Sequence, residues 1–547
     1  MDIHAIVEQA SASGVYLYVE GDKLKYKAQQ GGLPDTLRAQ LKAHKTEVIA
    51  YLKSGDDRST QGAIPAVTAR GDNAPAPLSY AQRRLWLVDQ VIGASALYNM
   101  PLAWRLRGRV DSAALLKSLN ILTMRHGSMR TRFDRVGDEP VQYIDAAPAP
   151  PVFEVIDTTA QVEAQCRAER NHAFNLAGEG LCRIRVLRDR EDSDRHGSDS
   201  LVLLVTMHHC VSDAWSLGIF IRELFACYSE LCRTQAPPEL APLAFQYTDY
   251  ASWQRQYLGP DIWREDLAYW KHQLRDLPAQ LSLACDRPRS ETPSYRGATI
   301  SAVIDPSLTA QLQRLSQNSQ ASLYMTLLAA FSLLLSRHAG QDDICVGSPI
   351  ANRDQPGTEA LIGFFVNTLV LRTRFDDDCD VPTLLARTRE TVLEAFDHQQ
   401  LPFEALVDEL SPTRTMNITP LFQAMFVMQN IPIEEEALPG VELTPMPVAP
   451  GEGMARFDLT LTVQQGLRGL DIDLEYSCDL FEADWAEGLL AHYQQLLAAM
   501  VATPERRLSQ LAMLSDVERY RQIVLWNDSG EAALENPARH QEPTIVA

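Results

Sequence analysis

Two adjacent histidines, His208 and His209, carry the strongest chemical signal in this sequence. Imidazole titrates near neutrality, so a histidine held in place can take or give a proton at physiological pH. The pair follows the apolar run Leu201-Val202-Leu203-Leu204-Val205 and precedes an amphipathic stretch that begins at Trp215. Between them the chain reads Thr206-Met207-His208-His209-Cys210-Val211-Ser212-Asp213-Ala214-Trp215-Ser216. On a strand, neighbouring side chains point to opposite faces, so at most one histidine would face any single site. Asp213 follows His209 across a turn and is suited to accept a hydrogen bond or an arginine fork that fixes the turn's shape. Residue types and spacing leave two readings open: a general base at a strand end, or two hydrogen-bonded histidines of a structural turn.

Other chemistries find no support. Adjacent histidines lack the i, i+4 helical spacing of a zinc-protease pair, and no Cys-x-x-Cys completes a site, so no metal is expected. There is no G-x-S-x-G elbow for a serine nucleophile. Neither a G-x-x-x-x-G-K-[ST] loop nor a strand-linked G-x-G-x-x-G is present, so nucleotide binding is not expected. Lys and Arg total 50 against 71 Asp and Glu, a formal charge of −21 over 547 residues. Phosphates would be repelled by such a chain, which disfavours a nucleic-acid partner. No run of about 18 apolar residues predicts a membrane span. Met1–Ala10 lacks the basic start and apolar core of a signal peptide. The nine cysteines are scattered and odd in number, as expected for reduced thiols in a cytoplasmic protein.

The elements that must position the histidines follow from periodicity. Residues 1–54 read as a small unit. Ile3, Ile6, Val7 and Ala10 have helical spacing; Gly14–Glu20 and Lys23–Lys27 flank Gly21-Asp22 as a β-hairpin; Pro34 opens a helical stretch through Leu37, Leu41, Val48, Ile49 and Leu52. Residues 55–77, rich in Gly, Pro, Ala and Asp, read as a flexible linker. From 78 to about 512 helices and strands interleave. Helices are predicted at Ala113–Leu122, Trp215–Leu231 and Ala321–Arg337. Strands are predicted at Leu201–Val205, Asp343–Ser348, Phe457–Val463 and Leu470–Tyr476. The pattern is that of an α/β fold, and its length favours two lobes over one core. Residues 513–547 read as the start of a linker before another domain.

His208-His209-Cys210-Val211-Ser212-Asp213-Ala214 resembles the HHxxxDG signature of nonribosomal peptide synthetase condensation domains, members of the chloramphenicol acetyltransferase-like superfamily. Six further segments resemble that family's other motifs in order: Leu78–Leu87, Arg125–Phe133, Tyr247–Arg255, Ile362–Thr368, His398–Glu404 and Pro420–Gln423. The resemblance implies two similar lobes, 78–255 and 256–512, forming a V with a central tunnel. It further implies that two carrier proteins present substrates on phosphopantetheine arms, with no cofactor bound by the chain itself. An acceptor amine would attack a donor acyl or peptidyl thioester to form an amide. The motifs look most like the class joining an L-configured donor to an L acceptor.

By the same resemblance His209 is the catalytic residue, His208 a structural one, and Asp213 the partner of an arginine from the other lobe, for which Arg353 is the candidate. Trp215, Ser216 and Asn367 are implied as supporting residues. Ala214 stands where the family has Gly, which matters if the position needs φ > 0 or close backbone approach. Gly127 stands in place of the usual Glu of the second motif, while His126 and Arg130 read as scaffold.

Residues 1–54 resemble a TubC-type docking domain, in which the tail of an upstream carrier protein adds a strand to the hairpin. Tyr16, Tyr18 and the alternating Lys23, Lys25 and Lys27 are its candidate contacts. Val524–Asp528 resembles the linker into an adenylation domain, expected in cis. A starter (lipoinitiation) domain, an ester-forming domain and a catalytically silent recruitment domain stand as alternatives.

Overall fold

The computed structural model describes Val15–Glu20, Lys23–Ala28, the single helical positions Leu41, Lys45 and Val48, and residues 65–525 except 72–73, 148, 411–416, 430–439, 447–451 and 467. The chain divides into two compact units, Met1–Ala66 and Val67–Ala547.

In the first unit Val15–Glu20 and Lys23–Ala28 pair antiparallel, with Glu20 opposite Lys23, Tyr18 opposite Lys25 and Tyr16 opposite Lys27. A two-residue connection between β-rich runs dictates this hairpin. The helical expectations for 2–12 and for most of 34–52 lie outside the described residues.

The second unit is built on two mixed sheets. The five-stranded sheet has the order Val441–Pro445, Asn99–Gly108, Asp199–His208, Cys182–Asp189, Val152–Ile156. The seven-stranded sheet has the order Asn367–Arg374, Asp343–Ile350, Ala424–Gln429, Leu459–Gly466, Gly469–Ser477, Arg296–Ile304, Glu452–Met454. Each sheet carries its own core. Ile219, Phe220 and Leu224 of the helix Ala214–Thr234 and Leu119 and Leu122 of Ser112–Arg125 bury against Leu203 and Val205 of the first sheet. The apolar helix Leu323–Ala339 is buried from Met325 to Ser336 within the second core, beside Phe426, Leu461 and Tyr493. A helix apolar all round has no solvated face to offer, so it lies inside. Ser322 starts it with a reciprocal capping box and Gly340 ends it in the left-handed conformation.

All the helices and strands predicted from 78 onward are present, at Ser112–Arg125, Asp199–His208, Ala214–Thr234, Leu323–Ala339, Asp343–Ile350, Leu459–Gly466 and Gly469–Ser477. One organisational expectation is corrected. The linker does not run to 77: Val67 is buried in a cluster with Phe245 and Trp253, and Ala76–Pro77 pairs with Val141–Gln142. Composition hid this, because one buried Val and one short strand suffice to anchor a Pro/Ala-rich stretch. Val441–Pro445, from the later part of the chain, crosses over to extend the five-stranded sheet beside Trp104–Gly108. Its short, Pro-ended sequence gives no local strand signal; the open edge of Asn99–Gly108 recruits it.

Gly108 makes this crossing feasible. Its φ is +124°, and a Cβ there would stand 2.2 Å from the Gly440 carbonyl oxygen. Gly108→Ala is therefore expected to combine backbone strain with a clash and to loosen the crossing strand. Thermal denaturation should show a lowered Tm, and limited proteolysis should show faster cleavage within Val441–Pro445. An unchanged cleavage pattern would mean that the strand is held by other contacts.

Candidate active site

The strand Asp199–His208 is buried from Ser200 onward and delivers the histidine pair to the edge of the first core. His208 ends the strand and donates its N–H to the Leu181 carbonyl at 2.9 Å. His209 begins a single 3₁₀ turn, His209–Val211, and donates its N–H to the Tyr98 carbonyl at 2.8 Å. The strict strand alternation expected for the pair therefore stops at His208, because the chain must turn to start the next helix.

The two rings have separate surroundings. His208 is buried edge-on to Tyr98 and Phe174, and its Nδ1 accepts the Cys210 N–H at 3.2 Å. Burial, helped by the Arg456 cation, pulls the His208 pKa down to about 3. His209 lies with its ring 5.0 Å from that of Phe364, and its Nδ1 is 3.0 Å from the Ser212 carbonyl oxygen. A carbonyl only accepts, so Nδ1 carries the proton and Nε2 presents a lone pair. Nε2 has no hydrogen-bond partner among the described residues. Burial first, then the Arg456 charge and the neighbouring His208, hold the His209 pKa well below its ordinary value. The imidazole is neutral at physiological pH, in the tautomer a proton acceptor needs.

Asp213 organises the turn. It is fully buried and caps the helix Ala214–Thr234 by accepting the Ser216 N–H at 2.8 Å. The same Oδ1 accepts from Arg353 Nη2 at 2.9 Å, and Oδ2 accepts the Phe365 N–H at 3.1 Å. Arg353 follows the seven-stranded sheet's strand Asp343–Ile350; its Nη1 donates to the Leu361 carbonyl at 2.8 Å, and its plane stacks over Phe365 at 4.1 Å. Its side chain is 4% exposed, unlike an ordinary surface arginine.

Ser216 joins the same network, with Oγ 2.7 Å from Asp213 Oδ1, 2.9 Å from Arg353 Nη2 and 2.9 Å from the Gly363 carbonyl. Gly363 lies flat against Tyr247, where a Cβ would meet the ring at 2.1 Å. Trp215 is largely exposed, with Nε1 donating to the Glu359 carbonyl at 3.1 Å. Ala214 starts the helix and is not among the residues with positive φ, so its Cβ meets no backbone strain.

Asn367 lies elsewhere in the second sheet. Its amide donates to the carbonyls of Gln399 and Leu401 and accepts the Phe403 N–H, which shapes the turn before the helix Phe403–Leu410. His126 is buried against Glu223 at 2.8 Å, and Arg130 serves the carbonyls of Thr123 and Asp145. Gly127 packs against Ile144 and donates its N–H to Gln246 Oε1 at 2.8 Å. The candidate docking residues Tyr16, Tyr18, Lys23, Lys25 and Lys27 lie on the hairpin of the first unit.

A cavity of about 1260 Å³ opens next to the site, lined among others by Tyr80, Arg84, Leu87, Tyr98, Tyr295 and Arg456. The histidines are not part of its lining; Tyr98, which holds the His209 backbone, is the link. Tyr98 and Arg456 carry no sequence signal of their own, because their place depends on loops brought together from two sheets. Among the described residues no group of His, Cys, Asp and Glu is arranged to hold a metal ion, and no single helix is long and apolar enough to cross a membrane.

Removing the Asp213 carboxylate should strand the Arg353 charge in the interior and uncap a helix. Asp213→Ala is expected to cost about 3–5 kcal/mol, the usual penalty for breaking a buried pair. Chemical denaturation of the variant checks this. A cost below about 1 kcal/mol would place the pair with the weak surface bridges.

The Condensation domain family matches residues 73–523 and the TubC N-terminal docking domain matches residues 3–54. A linear gramicidin synthase protein of Brevibacillus parabrevis is 41% identical over 505 residues, which cover 90% of this chain and 10% of that protein. A dimodular nonribosomal peptide synthase of Bacillus subtilis is 38% identical over 487 residues, 86% of this chain and 20% of the relative. The chain thus spans a small part of the proteins it matches. Among solved structures, the X-domain from teicoplanin biosynthesis superposes with a TM-score of 0.74 at 27% identity, over 82% of this chain and all of that one. The condensation domain of the monacolin K polyketide synthase has a TM-score of 0.69 at 22% identity, over 80% and 98%, and shares the fold. The chain therefore belongs to the condensation domain family of nonribosomal peptide synthetases, with a TubC-type docking domain ahead of it.

Proposed function

We propose that this chain joins an acyl or peptidyl group, held as a thioester on an upstream carrier protein, to the amine of an aminoacyl thioester on a downstream carrier. The observation that carries this reading is the neutral His209 imidazole, with Nδ1 engaged and Nε2 open. In the reaction the amine nitrogen bonds to the thioester carbon and its proton passes to Nε2. The C–S bond then breaks, and the departing sulfur takes that proton. Holding both tethered reactants in register supplies much of the rate.

The phosphopantetheine arms are substrates that arrive with the carriers, and the cavity beside Tyr98 is a suitable route for one of them. We assign residues 78–255 and 256–512 to the two lobes of the V, with Val441–Pro445 as a crossing element. The hairpin of the first unit takes the upstream tail by strand addition, with Lys23, Lys25 and Lys27 meeting acidic residues and Tyr16 and Tyr18 beside them. A cytoplasmic setting and an adenylation domain in cis complete the reading.

A recruitment role is the second reading, since the similar teicoplanin X-domain was solved in complex with OxyB. The intact histidine turn and its open Nε2 favour catalysis here.

Intact-protein mass spectrometry tests the assignment. With loaded upstream and downstream carriers, the wild-type chain should transfer the acyl mass to the downstream carrier, and His209→Ala should reduce the rate by about 10²–10⁴-fold. Absence of transfer with every carrier pair, while the upstream tail still binds, would assign recruitment instead.

The pH profile gives a second check. Because burial depresses the His209 pKa, the base is already neutral at physiological pH, and lowering pH across 6.5 should not protonate it. The rate should instead rise once with pH as the acceptor ammonium, near pKa 7.7–8.0 for an ordinary α-amine, loses its proton. A limb centred near the ordinary histidine value of 6.5 that disappears in His209→Ala would show a solvated imidazole.

A further inference from the structure

Arg456 is an exposed cation on the wall of the cavity beside the histidine turn. Its guanidinium carbon lies 5.4 Å from the centre of the Tyr98 ring. That ring is 6.1 Å from His208, and the Tyr98 carbonyl holds the His209 N–H. Several other cations on the same wall are engaged: Arg84 faces Glu404 at 3.7 Å, Lys271 pairs with Glu409 at 2.7 Å, and Arg289 grips Asp458. The Arg456 guanidinium has no ion pair or hydrogen bond among the described residues; it lies over the Tyr98 face.

The backbone on either side of Arg456 is fixed. The buried Ala455 donates its N–H to the Tyr295 carbonyl at 2.9 Å. Tyr295 sits at φ +56°, a left-handed conformation that costs an aromatic residue free energy and persists only where the surroundings demand it. On the other side Phe457 packs onto the second core, and Asp458 is held by Arg289 and by the Gln423 carbonyl. A doubly anchored segment therefore presents the Arg456 guanidinium beside the neutral imidazoles. Both histidines sense its charge, as does Glu475, which stays outside ion-pair range.

Resting on the amide-forming reading above, we propose that Arg456 binds the carbonyl oxygen of the reacting thioester and holds its negative charge in the tetrahedral intermediate. When the amine nitrogen bonds to the carbonyl carbon, the π electron pair moves onto that oxygen. The amine proton goes to His209 Nε2. When the oxygen's pair re-forms the carbonyl, the C–S bond breaks and the sulfur leaves with the proton from Nε2. Arg456 gives and takes no proton; a cation already oriented toward the developing charge needs no reorganisation at the moment of reaction.

The test compares Arg456→Met, Arg456→Lys and Arg456→Ala in the carrier-to-carrier assay under single turnover, with varied downstream carrier. Arg456→Met should lower the maximal rate about 10²–10³-fold, the usual loss for one oxyanion donor, with little change in half-saturation. Arg456→Lys should recover a large part of that loss. Added methylguanidinium should raise the rate of Arg456→Ala and leave the wild type unaffected, a response that a misfolded variant cannot give. A rate for Arg456→Met equal to wild type would overturn the proposal. So would a loss seen only in half-saturation, or only with acyl groups bearing a carboxylate, which would make Arg456 a reader of substrate side chains. A wild-type chain inactive with every carrier pair would remove the amide reading itself, whereas an active wild type with an unimpaired Arg456→Met removes this role alone.

Discussion

The buried ion pair between Asp213 and Arg353 is the constraint on which the site depends. Asp213 belongs to the turn after the first sheet's central strand, and Arg353 to the loop after a strand of the second. Taking two charges out of water is expensive, and is tolerated only where geometry and extra hydrogen bonds are good. Here Asp213 also accepts from Ser216 and Phe365, and Arg353 also donates to Leu361 and stacks on Phe365. The Asp213 oxygens and the Arg353 Nη atoms are thereby engaged from both sheets at once, while Arg353 Nε is buried without a hydrogen-bond partner among the described residues. Such a pair fixes one relative placement of the Asp213 turn and the 353–365 loop, because any slip leaves a charge unpaired.

His209 profits from that placement. Phe364, against which its ring rests, is carried by the loop that Arg353 anchors. The Ser212 carbonyl that fixes its tautomer lies one residue before the capping Asp213. Burial does the rest by disfavouring the imidazolium. An imidazole that is neutral at physiological pH, with one nitrogen committed and the other open, arises from packing and needs no acidic partner. This differs from triads in which a carboxylate orients the imidazole, since here a backbone carbonyl does so.

The crossing strand Val441–Pro445 adds a second tie between the sheets. It depends on backbone close approach at Gly108, whereas the ion pair depends on charge. One chain segment and one buried pair thus couple two separate cores within a single compact unit, Val67–Ala547. The cavity lies along this junction, which is where ligand sites commonly form between packed lobes.

Local pattern already determined much of this molecule. The apolar run before His208, the cap at Asp213, the strongly apolar helix around Leu328 and the hairpin of Val15–Ala28 are all consequences of neighbouring residues, so they were legible in the sequence. The ordered motifs also pointed to the family. What only the tertiary structure decided are the long-range matters: the burial of Arg353, the anchoring of Val67, the transfer of Val441–Pro445 to the other sheet, and the meeting of Tyr98 with Arg456. Asn367, which the family pattern placed among the supporting residues, shapes the Gln399–Phe403 turn. The physical reason is common to all of them. Helix and strand periodicities are set by backbone geometry over a few residues, whereas a loop's partner is set by which edge, cavity or charge remains unsatisfied once both cores have formed.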